Sequence, residues 1–238
     1  MALSTPIFQL KRTAKSISRS ENIPLNQALN RVAGEEGFSS WSELASSPLS
    51  LSSTARLFNE LMCGELVLLG GRPRQGKTAM ALRLIVEAMK RGHQGVLFTL
   101  EYNGKDVDAL FAKIGANPKN FDGYFDLDNS DNIDVPYIIQ KLNTVPIGTF
   151  IVIDYLQLLD QRRQSPVISV QLEVLKSFVL ERGLVAVITS QIDRSYELSE
   201  KPFPELSDVR LPNPLDLSLF SKAYFMNEGA IQMQNSVA

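Results

Sequence analysis

The stretch Gly71-Arg72-Pro73-Arg74-Gln75-Gly76-Lys77-Thr78 constrains this chain more than any other. Two glycines four residues apart, followed by Lys and Thr, lie between an apolar run, Glu65–Leu69, and a helical pattern with Ala81, Leu84, Ile85 and Ala88 on one face. A strand that turns through glycines into a helix aims successive backbone N–H groups, and the positive end of the helix dipole, at one spot. That is how a protein cradles phosphates without a dedicated cationic pocket. Lys77 then supplies a point charge for β- and γ-phosphates, and the Thr78 hydroxyl offers a ligand to Mg²⁺. The expected cofactors are therefore ATP and Mg²⁺. The expected nucleotide contacts are Gly71, Arg72, Pro73, Arg74, Gln75, Gly76, Lys77, Thr78 and Ala79.

Downstream, apolar runs recur at Val96–Leu100, Phe150–Ile153 and Leu184–Thr189, with a helical stripe read at Val167, Val170, Val174, Leu175 and Phe178. Near-continuous apolar strands alternating with amphipathic helices predict an α/β fold with a parallel sheet covered by helices on both faces. The Pro-rich tail after about Ser195 reads as loop with one strand. Residues at the carboxyl ends of parallel strands face the ligand crevice, so three strand ends carry the chemistry. Thr99-Leu100-Glu101 puts a carboxylate where it can orient an attacking water; a solvated strand-end Glu is the plainer reading of the same residue. Ile151-Val152-Ile153-Asp154 closes an apolar strand on an acid, which would hold Mg²⁺ through a coordinated water and help position Thr78. Thr189-Ser190-Gln191 brings an amide to the γ-phosphate edge.

Together these motifs resemble the RecA-like ATPase domain of the DnaB-type replicative helicases. The likeness rests on Gly71–Thr78, Phe98–Glu101, Ile151–Leu158 (IVIDYLQL) and Thr189–Gln191 with Arg194 nearby, and it spans roughly residues 55–225. The resemblance implies a RecA-like P-loop core. It also implies that Glu101 is the catalytic base, Lys77 and Gln191 are catalytic groups, and Thr78 and Asp154 form the Mg²⁺ site. Ser207-Asp208-Val209-Arg210 looks like the family's loop that touches single-stranded DNA, which makes Arg210, and Arg194 beside it, candidate DNA contacts. The chain departs from the family pattern in three places. Glu101–Ile151 is shorter than usual, Leu211 and Pro212 follow Arg210, and no Lys or Arg follows Lys222 where the family places a finger reaching its neighbour's γ-phosphate. Residues 8–45 stand where the family carries a collar domain.

Two functional classes follow. The first is an ATP-binding, slowly ATP-hydrolysing protein of DNA replication or recombination, with single-stranded DNA and a homo-oligomeric ring or another ATPase subunit as partners. The second is a regulatory or assembly module that uses ATP binding as a switch. DNA-stimulated turnover would favour the first, and ATP-dependent partner binding without a DNA effect the second.

Composition adds bounds rather than direction. Hydrophobic content of 44% and charge of 21% are ordinary for a soluble domain. The net charge of −2 excludes a protein that wraps nucleic acid with its whole surface. No stretch is long enough for a membrane span, and a cytoplasmic location is expected. The lone Cys63 excludes an internal disulfide framework and reads as a small buried hydrophobe; the lone His93 reads as a surface residue in a turn. The expected domains are a small helical module with its linker at 1–50 and the ATPase domain at 51–238. In the module, Leu10, Ala14 and Ile17 form one apolar stripe and Leu25, Ala28, Leu29 and Val32 another, while its charge leans basic.

Overall fold

The computed structural model describes residues 7–46, 53–160, 166–199, 201–211, 213, 215–227 and 230–235. The chain divides into two compact units, Met1–Leu57 and Phe58–Ala238. Residues 47–52, at the end of the module and linker expected at 1–50, and Pro212 lie outside the described residues.

The first unit holds three helices, α1 (Ile7–Ser20), α2 (Leu25–Glu35) and α3 (Trp41–Ser46). Their apolar stripes close on one another. Leu10, Ala14, Ala28, Val32, Ala33 and Leu44 form a small core, with Ile17, Leu29, Phe38 and Trp41 packed around it. Leu25 falls outside this core and is 40% exposed.

Helix α4 (Ser53–Glu60) leads into the second unit, a seven-stranded sheet. Its strands are β1 (Leu66–Gly71), β2 (Gly95–Thr99), β3 (Phe125–Asp128), β4 (Phe150–Asp154), β5 (Val185–Gln191), β6 (Lys222–Asn227) and β7 (Ala230–Asn235). Their spatial order is β3-β2-β4-β5-β1-β6-β7, parallel throughout except for β7, which pairs antiparallel with β6. The helices are α5 (Lys77–Lys90), α6 (Gly104–Lys113), α7 (Val135–Lys141) and α8 (Ile168–Arg182).

Both faces of the sheet are covered, as the run-like strands predict. Leu66, Leu68, Phe98, Ile151, Ile153, Ala186 and Ile188 join one core with Val135 and Ile138 of α7 and Leu172, Leu175 and Val179 of α8. The intervening Val67, Leu69, Leu97, Val152 and Val187 are equally buried and point the other way by the two-residue period. Helix α5 covers that side so closely that a Cβ on Gly95 would stand 2.5 Å from Ile85. This is a RecA-like α/β fold. Among the described residues no helix is long and apolar enough to cross a membrane.

Three expectations need correction. The tail after Ser195 holds two strands, β6 and β7, rather than one, and β3 adds an edge strand whose sequence, Phe-Asp-Leu-Asp, is too polar to stand out. Helix α8 exists, but its stripe is turned: Val167, Val170 and Val174 are 66%, 45% and 46% exposed, while Ile168, Leu172, Leu175 and Val179 are buried. A helix with apolar residues on most sides offers two stripes, and periodicity alone does not say which faces the sheet. Cys63 is exposed rather than buried, because it lies in the turn before β1.

Candidate functional site

The phosphate-cradling loop leaves β1 at Gly71 and enters α5 at Lys77. Gly76, at the N-cap of α5, has φ of 86°, a left-handed conformation that glycine adopts without strain. Arg74 adopts the same region at φ 66° with a full side chain, which faces solvent. Lys77 folds back over the loop: its Nζ donates to the carbonyls of Gly71 at 2.8 Å and Arg72 at 3.2 Å. Burial pushes the Lys77 ammonium below its ordinary pKa, and the carboxylates of Asp154 and Glu101 pull it back up.

Strand register assembles the rest. Thr99 pairs with Asp154, Ile153 with Ile188, and Gly71 with Gln191, so the carboxyl ends of β1, β2, β4 and β5 lie side by side. Asp154 is 2% exposed and accepts two hydrogen bonds, from Thr78 Oγ1 at 2.8 Å and from the Thr189 hydroxyl. A buried carboxylate is tolerable when donors saturate it. Here they also fix its orientation toward the start of α5.

Glu101 sits two residues past β2, at the open rim of the cleft. The stretch that carries it is short and pinned at both ends. Its N–H donates to Thr99 Oγ1 at 3.1 Å, and α6 begins just beyond, with a reciprocal cap between Asn103 and Asp106. Partial burial of the carboxyl raises the Glu101 pKa, Asp154 adds to the rise, and Lys77 opposes it. Lys77, Asp154 and Glu101 thus feel one another's charge. The sequence reading missed two members of this group. Thr189 is the buried partner of Asp154, and Tyr102 shares a side-chain hydrogen bond with Thr78, its phenol pushed up chiefly by burial. Neither carries a spacing signal of its own.

Arg72 behaves differently from its loop neighbours. Its side chain turns away to the segment after β5, pairing with Glu197 (Nε to Oε1, 2.9 Å) and donating to the Ile192 carbonyl at 3.0 Å. That segment is a crown of short 3₁₀ turns. An isolated antiparallel bridge, Ile192 with Val209, brings its two arms together. The Arg210 N–H donates to the Gln191 carbonyl at 2.8 Å, and Gln157 Nε2 donates to the Arg210 carbonyl at 2.7 Å. Arg194 and Arg210 are therefore on the crown with their side chains exposed, outside the group formed by Lys77, Thr78, Glu101 and Asp154. Lys201 is engaged by Glu205 and Asp208, and Lys222 by Glu65 at the opposite end of β1. His93, half-buried beside Gly148, is remote from the site.

A family model described as "ATPase: KaiC" matches residues 56–207, the strand-end site included. The chain belongs to this ATPase family. It is also 28% identical over 186 residues to a probable replicative DNA helicase of Guillardia theta, an overlap of 63% of this chain and 30% of that one. The chain thus spans under a third of that relative's length. The fold is similar to a KaiC-like protein of Pyrococcus horikoshii OT3 (TM-score 0.56, 20% identity, 76% of this chain and 85% of that one). It is likewise similar to a DnaB-like replicative helicase solved with reference to its interactions with primase (TM-score 0.58, 20% identity, 91% and 65%). The chain is thus a RecA-like P-loop ATPase of the DnaB/KaiC type.

Proposed function

We propose that this ATPase binds MgATP in the Gly71–Ala79 cradle, hydrolyses it slowly, and passes its nucleotide state to a crown that contacts single-stranded DNA in replication or recombination. The observation that carries this reading is the joining of Lys77, Thr78, Asp154 and Glu101 at adjacent strand ends.

The donor set fits Mg²⁺. It offers one hydroxyl and one carboxylate, all hard oxygen, and among the described residues no group of three or more His, Cys, Asp or Glu could hold a metal unaided. Such a site suits an ion that takes its remaining ligands from phosphates and water. Bound there, Mg²⁺ would neutralise phosphate charge. Thr78 and Asp154 would hold it, Asp154 through water, and Thr189 keeps Asp154 aimed. Lys77, released from the loop carbonyls, pairs with the β- and γ-phosphates. Glu101, its pKa raised chiefly by burial, orients the attacking water and accepts its proton. Gln191 presents an amide beside Gly71 for the γ-phosphate. Because the Gln191 carbonyl also holds the Arg210 N–H, a shift at that strand end moves Arg210 directly.

Slow turnover follows from charge. Of the loop's other cations, Arg72 is committed to Glu197 and Arg74 faces solvent. A second cation on the transferring phosphoryl group is worth about 10³–10⁵ in rate. A partner ATPase subunit or a ring neighbour would supply it, with Arg194 or Arg210 the candidates if neighbours are identical. The test is ATPase rate with and without single-stranded DNA, alongside native mass in ATP. We expect turnover well below about 1 s⁻¹ for the isolated chain and stimulation by DNA. Brisk turnover of an isolated monomer, indifferent to DNA, would overturn the reading.

A further inference from the structure

We infer that the first unit is a nucleic-acid-binding module whose contact surface is the basic face of α1, gripping the phosphodiester backbone without regard to sequence. Its helices α1, α2 and α3 lie outside the residues matched by the ATPase family, so their role does not follow from that membership.

Helix α1 carries Lys11, Arg12, Lys15 and Arg19 and no acidic residue in its fourteen positions. Arg12, Lys15 and Arg19 stand three and four residues apart, on one face. All four cations are exposed. Among the described residues none takes an acidic partner, although acids are at hand in the unit. Glu21 pairs instead with Arg31 at 2.8 Å, and Glu43 is taken by Ser39.

Folding gives no reason for this arrangement. Arg19, in the last turn, complements the helix dipole, but Lys11, Arg12 and Lys15 lie where the dipole does not favour cations. Neighbouring like charges one turn apart oppose the helix. The face is therefore maintained at some cost to stability, which points to a polyanion as its occupant.

The chemistry selects among polyanions. Ser16 and Ser20 interleave with the cations and line the same shallow groove as Arg12, Lys15 and Arg19, giving the hydroxyl-plus-cation mixture that binds phosphate oxygens. A membrane surface fits poorly. An interfacial helix must present its apolar face to lipid, and here Leu10 and Ala14 are spent in the unit's own core. From Arg12 to Arg19 the helix rises about 10 Å, enough to follow roughly three phosphates of one strand. Duplex and single-stranded nucleic acid share that chemistry.

The test uses the full chain without nucleotide, titrated against a fluorescent 30-mer as single strand and as duplex between 50 and 200 mM salt. The R12Q/K15Q/R19Q variant should bind at least about tenfold more weakly at 50 mM, with its salt slope flatter by about two to three. K15Q alone should flatten the slope by about one. R12K/R19K, which keeps the charge, should bind like wild type. Binding should also survive Lys77→Ala, so a failure of the ATPase reading would leave this result standing. Equal binding by K15Q, the triple variant and wild type would overturn the inference. So would wild type that ignores both oligonucleotides or prefers phosphatidylserine vesicles.

Discussion

Two regions at the same edge of the sheet are built in opposite ways. At the carboxyl ends of β1, β4 and β5, polar side chains are buried or half-buried and hydrogen-bonded, Asp154 between Thr78 and Thr189 and Lys77 against the loop carbonyls. The crown beyond is seated on the main core through Tyr196 and Val209, and its outer side is held by pairs such as Lys201 with Glu205 and Arg72 with Glu197, and by short turns. A buried hydrogen-bonded group is expensive to disturb, whereas an exposed ion pair contributes little. The knot is thus suited to hold a fixed geometry. The crown's outer side is the softer of the two.

If that contrast is right, the largest effects come from the knot. Glu101→Gln keeps size and reach but removes the proton acceptor. Turnover should fall by about 10²-fold or more, roughly 2.7 kcal/mol of barrier, while ATP affinity holds. In wild type the rate should rise with pH through the Glu101 pKa, because only the carboxylate accepts a proton. That pKa is raised by burial and by Asp154, so the acid limb should lie above the range of a free glutamate. A mutant with normal turnover, or an acid limb at the ordinary glutamate value, would leave Glu101 a strand-end carboxylate and empty the knot of its base.

Lys77→Ala comes next. Loss of the ammonium that faces the phosphates should weaken ATP binding at least tenfold, about 1.4 kcal/mol or more, by calorimetry. Unchanged affinity would end the cradle reading.

The knot also predicts a structural effect at a residue without a direct chemical role. Thr189→Val keeps the shape and removes the hydroxyl that donates to buried Asp154. One carboxylate oxygen then lacks its donor, and denaturant unfolding should show a loss of about 1–3 kcal/mol. A loss near zero would mean the knot is wetter than its burial indicates.

The same contrast explains what was legible in the sequence. Strands β1, β2, β4 and β5 read as apolar runs because both faces are buried, and a run closing on Asp154, or turning through Gly71–Gly76, carries its chemistry in the spacing. Edge strands β3 and β7 mix polar residues and leave no such trace, and β6, paired on both sides with Ala223–Met226 buried, is a short run that follows the Pro-rich stretch. Helix α8 was visible, yet its buried face was not, since Gln171, 1% exposed and bonded to the Val135 N–H and the Leu159 carbonyl, is a polar anchor on the inner side. Tyr102 and Thr189 matter through contacts that only the folded register creates. The turning of Arg72 toward Glu197 belongs to the crown, where no local pattern sets the partner.

The smallest effect should come from that pair, and it tests the contrast most directly. The Arg72 side chain is largely buried at 15% exposure, but Glu197 is 61% exposed, so water screens most of their attraction. Arg72 also keeps its bond to the Ile192 carbonyl when Glu197 is gone. Glu197→Ala should therefore cost no more than about 1 kcal/mol in denaturant unfolding and leave ATP affinity within about threefold, well short of the tenfold expected for Lys77→Ala. Its signature should lie elsewhere. With Arg72 less tethered next to the loop, basal turnover should rise modestly, because a second cation becomes available to the phosphates. A stability loss as large as that of Thr189→Val would show that the crown is fixed like the knot. Basal turnover unchanged in Glu197→Ala would instead show that Arg72 has no access to the site.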